Sequence, residues 1–507
     1  MENLIPFLSA LFTFLLFMLM ILKIVAPKRY QTGRSTLKSP PGPWKLPFIG
    51  NLHQLIGSPP HHRLRDLAKK YGPLMHLRLG EVSHIIVSSP EIAKEIVKTH
   101  DVKFAQRPPL LIASKYYGID IVFGHYGDYW RMLRKMCAEE LLSPKRVQSF
   151  RSIREEEVSN LIGNLQSNSG LPVNLSEKIF SMTYVITARA AFGKKCKDQE
   201  VFISNVDEGL KIAAGFSVAE AFPSQKWLLW ISGLGPKFEK SVQTLDKILD
   251  NIIGEHQADK ATTKKEKGQA DCLLDVLLNL RDSGDLAFPL ETINIKAVIL
   301  DVFIGGSETS STVIEWAILE MMKNPRVMEK AQAEVRQVFS KQRNVDETGL
   351  HELKFLKCVI KETLRLHPPG PLLVPRESRE SCVINGYFIP AKTKVIINGW
   401  AIGRDPRYWS EAERFYPERF IDSSVDFRGT NFELIPFGAG RRICPGISFA
   451  IADIELPLAQ LLFHFDWKLP QGINHENLNM TESFGMTVRR NGDIYLVPVP
   501  FNTCPSM

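Results

Sequence analysis

Hydrophobic residues along the chain first form one uninterrupted run and then recur with helical spacing. Leu4–Leu22 has nineteen consecutive residues without a charge, and at about 1.5 Å per residue such a helix can cross a hydrocarbon core of about 30 Å. Basic residues follow the run directly, beginning with Lys23, and positive charge marks the cytosolic side of a membrane span. The pattern predicts an amino-terminal membrane anchor over residues 1–26, with a single span at about 4–22, and a cytosolic body.

The body itself is predicted to be mostly helical. Prolines and basic residues in 27–50 predict a stiff hinge after the anchor, and the alternation in Leu74–Ser89 predicts a β-hairpin. Apolar residues then recur at helical spacing up to about residue 368, and the charged stretch Gly254–Asp271 is predicted as a loop. Short strand-like pieces follow residue 382. The sequence therefore predicts a mainly α-helical domain with small β-sheets over 51–507.

Composition narrows the class of protein. A chain of 507 residues with 44% hydrophobic and 23% charged residues is globular rather than disordered. The seven cysteines are odd in number, scattered and without CxxC pairs, which argues against a disulfide framework or a zinc site and for a reducing compartment. The net charge of +8 is modest, and no basic run is interleaved with aromatic residues. Nucleic acid is therefore excluded as an expected partner.

The candidate chemistry centres on Cys444. A thiolate is a strong metal ligand, although a lone buried cysteine is usually only a small hydrophobic side chain. The surrounding residues distinguish this one, because they fit the pattern F-x-x-G-x-R-x-C-x-G. Its five fixed positions are Phe437, Gly440, Arg442, Cys444 and Gly446. The glycines allow the backbone to fold tightly around the sulfur, and the arginine brings positive charge.

On these residues the sequence resembles the cytochrome P-450 family of haem-thiolate monooxygenases, and the resemblance covers the entire chain. It implies the cytochrome P-450 fold and haem b, with Cys444 as the axial ligand of the iron and a thiolate that favours O–O cleavage. It also implies four partners for the haem propionates, because guanidinium and indole N–H groups donate to carboxylates. These are Trp130, Arg134, Arg376 and Arg442.

A second stretch, His351–Pro369, agrees with the resemblance. Glu362 and Arg365 fall on an otherwise apolar helical stripe, where an unpaired charge is costly. They can pair at i, i+3. The resemblance implies that Arg419, in Tyr416–Phe420, completes a structural network that holds the haem pocket.

A long helix is predicted from Thr292 to Asn324, interrupted by two adjacent glycines. Glycine weakens a helix by about 1 kcal/mol relative to alanine, so Gly305 and Gly306 either admit a neighbouring helix or mark a distortion beside the iron that leaves room for dioxygen. The resemblance implies the second reading, with Thr309 holding dioxygen by a hydrogen bond and Glu308 helping to relay protons. Most members of the family have alanine where this chain has Gly305.

The resemblance also implies the reaction and its partners. The expected activity is a monooxygenase reaction with electrons from NADPH through a separate cytochrome reductase, since the chain has no strand-flanked G-x-G-x-x-G fingerprint. Arg131, Lys135 and Arg441 could offer the reductase a basic docking face. The expected location is the endoplasmic reticulum membrane, with one span and a cytosolic catalytic domain. An isomerase or dehydratase that uses no O₂, which typically lacks the acid–threonine pair, and a haem-based sensor are the other classes considered.

The substrate is the least constrained expectation. Several segments resemble the plant microsomal A-type branch, especially its terpene hydroxylases, which implies a sesquiterpene or diterpene. Alkaloids and phenylpropanoids are the alternatives. Apolar side chains favour a hydrophobic ligand. The residues predicted to line its pocket are Ile304, Gly305, Leu372, Val374, Phe484 and Met486.

Overall fold

The computed structural model describes residues 38–109, 118–212, 217–262, 272–284, 286–342, 344–483 and 485–501, together with three isolated positions near the amino terminus. Apart from those three positions, the predicted anchor (1–26, with its span at 4–22) lies outside the described residues, and so do residues 27–37 of the predicted hinge. Both assignments stay predictions.

Helices make up most of the described chain. In chain order they are α1 (Pro60–Tyr71), α2 (Pro90–Lys94), α3 (Asp101–Phe104), α4 (Asp128–Met136), α5 (Pro144–Ser149), α6 (Arg151–Ser167), α7 (Leu175–Phe192), α8 (Gln199–Ile212), α9 (Val218–Ala221), α10 (Trp227–Ile231), α11 (Leu234–Thr262), α12 (Leu273–Ser283), α13 (Thr292–Lys323), α14 (Pro325–Val338), α15 (Lys354–Leu366), α16 (Gly399–Ile402) and α17 (Ile447–His464). Short 3₁₀ or π turns lie at Leu52–Leu55, Glu95–Thr99, Cys137–Leu141, Leu350–Glu352, Pro417–Phe420 and Gly440–Arg442.

The strands in the described part of the chain are short and form four small sheets. They are β1 (Leu74–Leu79), β2 (Val82–Val87), β3 (Val173–Asn174), β4 (Arg376–Glu377), β5 (Cys382–Ile384), β6 (Tyr387–Ile389), β7 (Lys394–Ile397), β8 (Phe465–Lys468), β9 (Glu482–Ser483), β10 (Arg489–Arg490) and β11 (Tyr495–Pro500). The sheet orders are β1-β2-β7-β4, β3-β11-β8, β5-β6 and β9-β10. Among the strands of the described residues, only β2 and β7 pair in parallel. The prediction of a mainly α-helical fold with small sheets is confirmed.

The hairpin predicted in Leu74–Ser89 is present as β1 and β2, with Leu79 paired to Val82. Met75, Leu77 and Leu79 are buried while Arg78 is exposed, as alternation along a strand requires. Gly80 makes the turn with φ of +60°, and a Cβ there would lie 2.3 Å from the carbonyl oxygen of Ala221. Only glycine fits this turn.

Helix α13 is the centre of the larger core. It packs against α7, α15 and α17, and Trp316 is among the largest fully buried side chains. The side chains of Glu291 and Asn294 form a reciprocal capping box at its start, an arrangement worth about 1 kcal/mol. Pro325 follows its end. Helices α13 and α17 are each long and apolar enough to span a membrane, but 72% and 67% of their most apolar windows are buried, so we assign both to the core.

Candidate active site

The loop that carries Cys444 folds tightly before α17. Gly438 and Gly440 have φ of +69° and +70°, and a Cβ on Gly440 would lie 2.1 Å from the carbonyl oxygen of Val97. The amide of Cys444 donates to the carbonyl oxygen of Phe437 at 2.9 Å, and the amide of Gly446 donates to its sulfur at 3.4 Å. The pattern found in the sequence therefore describes one compact turn that presents a single sulfur atom.

The thiol is poised to accept a metal rather than to ionise by itself. Burial raises the pKa of Cys444, while the Gly446 amide and the nearby Arg134 oppose that shift. The thiol nevertheless stays partly accessible. A bound metal cation deprotonates a coordinating thiol outright, so this environment suits a metal ligand better than a free nucleophile.

Helix α13 has an open face in the middle of an otherwise buried element. Ile304 and Thr309 are half-buried and Gly305 is exposed, whereas nearly all residues from Ser310 to Met322 are buried. The hydroxyl of Thr309 donates to the carbonyl oxygen of Gly305 at 2.6 Å. The helix continues through the glycine pair. The predicted interruption is therefore wrong, because the backbone keeps its helical conformation and the threonine bonds back onto it.

The two glycines have different surroundings. A Cβ on Gly305 would meet nothing within 4 Å, while one on Gly306 would lie 3.1 Å from the ring of Phe449 and 3.2 Å from Thr187. Gly306 thus allows α17 and α7 to approach α13, and the expectation that it leaves room for dioxygen is wrong. Gly305 alone leaves space on the open face.

Glu308 is buried, with 5% of its surface exposed, and it does not share the open face with Thr309. Its Oε1 atom accepts a hydrogen bond from Arg489 at 2.8 Å. Burial raises the pKa of Glu308, while Arg489 lowers it. A raised pKa favours the protonated form of a buried carboxyl, which is the direction that the predicted relay requires.

Three buried arginines form a cluster beside the Cys444 loop. Arg107, Arg376 and Arg442 are 5%, 5% and 8% exposed. Burial, reinforced by the other two arginines, lowers the pKa of Arg107. Two carboxyl groups lie nearby. Asp101 pairs with Arg376 at 3.2 Å, and burial raises the pKa of Asp120 to about 7 although Arg442 and Arg107 oppose that shift.

The charges of the predicted propionate partners suit an anionic cofactor. Most of their N–H groups, however, already donate to oxygen atoms of the protein. Arg442 donates to backbone carbonyl oxygens of Ala105, Ile121 and Gly124, and the indole N–H of Trp130 also donates to Ile121 at 2.9 Å. Arg134 lies close enough to Cys444 for the two to influence each other's pKa, and among the described residues it has no hydrogen-bond or ion-pair partner. Buried cations in excess over carboxylates are costly, and a dianionic cofactor would offset that cost. The residues therefore fit haem.

Glu362, Arg365 and Arg419 are brought together behind the site. The Glu362 carboxylate takes two hydrogen bonds from Arg365, at 2.7 and 2.9 Å, and one from Arg419 at 3.0 Å. Arg365 also donates to three backbone carbonyl oxygens, those of Gly403, Ala412 and Arg414. The side chains of Glu362 and Arg365 are fully buried. Every charge in the network thus has partners.

The predicted substrate residues are only partly brought together. Ile304 and Gly305 lie on the open face of α13, and Val374 and Met486 are half-buried. Val488 donates its amide to Pro369, which joins the Met486 segment to the one carrying Val374. Phe484 lies outside the described residues. Leu372 is buried and packs against side chains of β1, β2 and β7, and its place in the pocket stays a prediction.

Sequence reasoning missed three residues of this region. Arg107 belongs to the arginine cluster, Arg489 pairs with Glu308, and Asp301 accepts the amides of Ile121 and Val122 at 2.7 and 3.0 Å. Asp301 had a detectable signal, because it is a carboxylate one turn before Gly305 on a strongly apolar helix. The partners of the other two are distant in sequence, so no local pattern reveals them.

Comparison with known proteins agrees with this geometry. The family model described as "Cytochrome P450" matches residues 40–495. Tabersonine 16-hydroxylase 2 of Catharanthus roseus is 54% identical over 97% of this chain and 97% of its own, and premnaspirodiene oxygenase of Hyoscyamus muticus is 51% identical over 97% and 98%. A solved zebra fish cytochrome P450 shares the fold, with a TM-score of 0.74 and 24% identity over 88% of this chain and 100% of its own. The chain therefore belongs to the cytochrome P450 family and is a plant A-type member, a monooxygenase that uses haem b with a cysteine thiolate ligand.

Proposed function

We propose that this protein hydroxylates a sesquiterpene or diterpene at the endoplasmic reticulum membrane, with electrons from NADPH delivered by a cytochrome reductase. Membership in a group of plant monooxygenases of specialised metabolites is established. The observation that carries the finer proposal is the open face of α13, where Ile304, Gly305 and Thr309 line an accessible surface beside a buried acid. Apolar lining with few polar groups favours a hydrophobic substrate.

The overall reaction is R–H + O₂ + NADPH + H⁺ → R–OH + H₂O + NADP⁺. Bound haem supplies the redox-active iron, and its thiolate ligand favours cleavage of the O–O bond. Cys444 would hold that iron, and Arg107, Arg134, Arg376 and Arg442 would balance the charge of the propionates.

Glu308 and Thr309 deliver the protons that the reaction consumes. Glu308 holds a proton in a buried site, and Thr309 passes it to the open face. The Thr309 hydroxyl hydrogen is directed at the Gly305 carbonyl, so the hydroxyl must rotate to donate elsewhere, while its oxygen lone pairs remain available to accept. The pair supports oxygenation over O₂-independent isomerisation and over a sensor role, because neither of those needs a proton relay.

Exposed apolar side chains support attachment to a membrane. Trp227, Trp230 and Ile231 of α10 are 55%, 64% and 77% exposed. Ser224, just before α10, bonds to Glu81 at the β1–β2 turn, and the exposed Ile49 accepts the amide of Gly80 at that same turn. The apolar residues of α10 and Ile49 are therefore both linked to the β1–β2 turn, and this exposed apolar area, together with the predicted anchor, suits a membrane surface.

Basic side chains support docking of a reductase near the cysteine loop. Arg131, Lys135 and Arg441 are each more than half exposed. Each of the three has a nearby carboxylate, Asp128, Glu139 or Asp101. Lys135, which is 72% exposed and 3.9 Å from its acidic neighbour, is the most available of the three to an acidic partner.

The substrate is tested by a panel of terpene hydrocarbons, alkaloid precursors and phenylpropanoids, each added to membranes that contain this protein and reductase. We expect a terpene to shift the haem Soret band and to give an NADPH-dependent product that carries one atom from ¹⁸O₂. The second candidate function is hydroxylation of an alkaloid, which the similarity to tabersonine 16-hydroxylase 2 supports. Binding and hydroxylation of an alkaloid precursor, with no terpene active, would favour it. Turnover without O₂ consumption would reject both.

A further inference from the structure

The hairpin formed by β9 and β10 is fastened to the body by charged side chains at both of its strands. In β9, Glu482 accepts hydrogen bonds from His61 and His62 at 2.6 and 2.9 Å. In β10, Arg489 pairs with Glu308 at 2.8 Å. The connection between the strands carries Met486, a predicted substrate contact. One short hairpin therefore connects a predicted substrate contact with the buried acid.

Arg489 links Glu308 to the surface. Its side chain is 32% exposed, while that of Glu308 is 7% exposed. It lies over the ring of Phe180 at 4.9 Å, which fixes the guanidinium, and Asp207 of α8 lies 4.0 Å from it. No other cation pairs with Glu308 within the part of the chain that the structure describes.

A small cavity lies beside the Glu308 side chain. The Oε2 atom of Glu308 is buried and accepts no hydrogen bond of standard geometry, although the Thr487 hydroxyl of the same hairpin approaches the carboxyl. The cavity has a volume of about 10 Å³, and Asp207, Ser307, Glu308 and Arg489 are among its lining residues. That volume and those polar groups suit a single water molecule.

We propose that Arg489 is a positioning residue for proton delivery: it holds Glu308 by one oxygen, leaves the other for a proton-carrying water, and ties the acid to the hairpin that contacts substrate. A substrate that orders this hairpin thereby also fixes Glu308, so that protons reach Thr309 chiefly when substrate is bound. This inference rests on the proposed monooxygenase mechanism. Glu308 gives its proton towards Thr309 and regains one from solvent through the cavity, and the two electrons come from NADPH through the reductase.

The test compares two oxidants in Arg489→Gln, Arg489→Lys and a matched control. Arg490→Gln is the control, because Arg490 is the next residue of β10 but donates to the backbone carbonyls of Asn479, Gly492 and Asp493 rather than to Glu308. Reactions use membranes with reductase and a substrate from the panel, supplied either with NADPH and O₂ or with iodosylbenzene. Iodosylbenzene donates one oxygen atom and leaves as iodobenzene, so it needs neither electrons nor protons.

For Arg489→Gln we expect product per NADPH to fall about tenfold, less than the roughly 10²–10⁴-fold effect of a positioned acid–base group, because Glu308 itself remains. The electrons should appear as hydrogen peroxide or excess water. Iodosylbenzene-supported product and its regiochemistry should match wild type. Arg489→Lys should recover part of the coupling, since it keeps the charge, and Arg490→Gln should couple normally. Amounts are normalised to protein with a thiolate-type ferrous–CO spectrum, and if Arg489→Gln does not fold, a coupling defect in Arg489→Lys alone decides the question.

Wild-type coupling in Arg489→Gln and Arg489→Lys would overturn the proposal. Equal losses with both oxidants, or a changed product pattern, would also overturn it, because Arg489 would then only shape the pocket. If wild type itself gives no oxygenated product with either oxidant, the proposed function fails, and the role of Arg489 fails with it.

Discussion

Removing the charge of Glu362 should destabilise the protein severely, because it leaves Arg365 with an unbalanced buried charge. In Glu362→Gln the two bonds from Arg365 and one from Arg419 lose their anionic acceptor. Breaking one side of a buried pair costs about 3–5 kcal/mol. Arg365 keeps three carbonyl acceptors, so we expect about 3 kcal/mol, a large part of a typical folding free energy of about 5–15 kcal/mol.

The chain supplies a matched control for this substitution. Glu411 and Arg414 form a pair with the same i, i+3 spacing at 3.0 Å, but their side chains are 60% and 54% exposed. Glu411→Gln should therefore change the free energy of unfolding by less than about 1 kcal/mol. Denaturant titration of the haem-loaded, detergent-solubilised protein measures both variants, with the fraction showing a thiolate-type ferrous–CO spectrum as a second readout. A Glu362→Gln variant within 1 kcal/mol of wild type, or a Glu411→Gln variant equally damaged, would refute the reasoning.

Three further predictions concern the open helix face and the sheet. Gly305→Ala should raise the free energy of unfolding by up to about 1 kcal/mol through helix propensity and weaken the binding of bulky substrates. Gly306→Ala should lower the free energy of unfolding by about 1–3 kcal/mol through overpacking. Thermal unfolding measures the stability of the two variants, and Soret titration measures substrate binding. Thr309→Ala should keep its haem and consume NADPH, but divert most electrons to peroxide, as coupling assays measure. Burial, reinforced by Lys394, lowers the pKa of His84 to about 3, below its unfolded value of about 6.5, so its neutral form stabilises the fold above pH 6.5 and that stability is lost as the pH falls. Between pH 7 and pH 5 the loss should be about 2 kcal/mol, and His84→Gln should flatten this part of the stability profile.

Each of these three predictions would be contradicted by a specific result. Equal effects of the two glycine substitutions would mean that their surroundings are not different. Unchanged coupling in Thr309→Ala would remove the threonine from the relay. A stability profile of His84→Gln parallel to wild type from pH 7 to pH 5 would place the titrating groups elsewhere.

Elements with strong local periodicity could be predicted from the sequence. The β1–β2 hairpin follows from alternation and a glycine turn, and α13 begins at Thr292 and ends one residue before the predicted Asn324. The prediction of a loop over Gly254–Asp271 is wrong for its first nine residues, because α11 continues to Thr262. Glu255, in that charged part, pairs with Lys194 and Lys197 from another segment, so contacts distant in sequence keep a polar stretch helical.

In the candidate site, too, features with a local sequence signal could be predicted and those that depend on distant contacts could not. Spacing on one helix was enough to predict that Glu362 and Arg365 can pair, and a compact motif singled out Cys444. The different roles of Gly305 and Gly306 depend on where Phe449 and Thr187 lie, which no spacing within α13 encodes. The pairing of Glu308 with Arg489 likewise joins residues 181 positions apart, and only the fold brings them together.

The ferrous–CO spectrum of Cys444→Ala tests the central claim most directly, with Cys137→Ala as the control because Cys137 is another free cysteine, buried in the core. The account predicts a thiolate-type spectrum for wild type and for Cys137→Ala, and its loss in Cys444→Ala while the far-ultraviolet circular dichroism stays helical. A thiolate-type spectrum that persists in Cys444→Ala would contradict it.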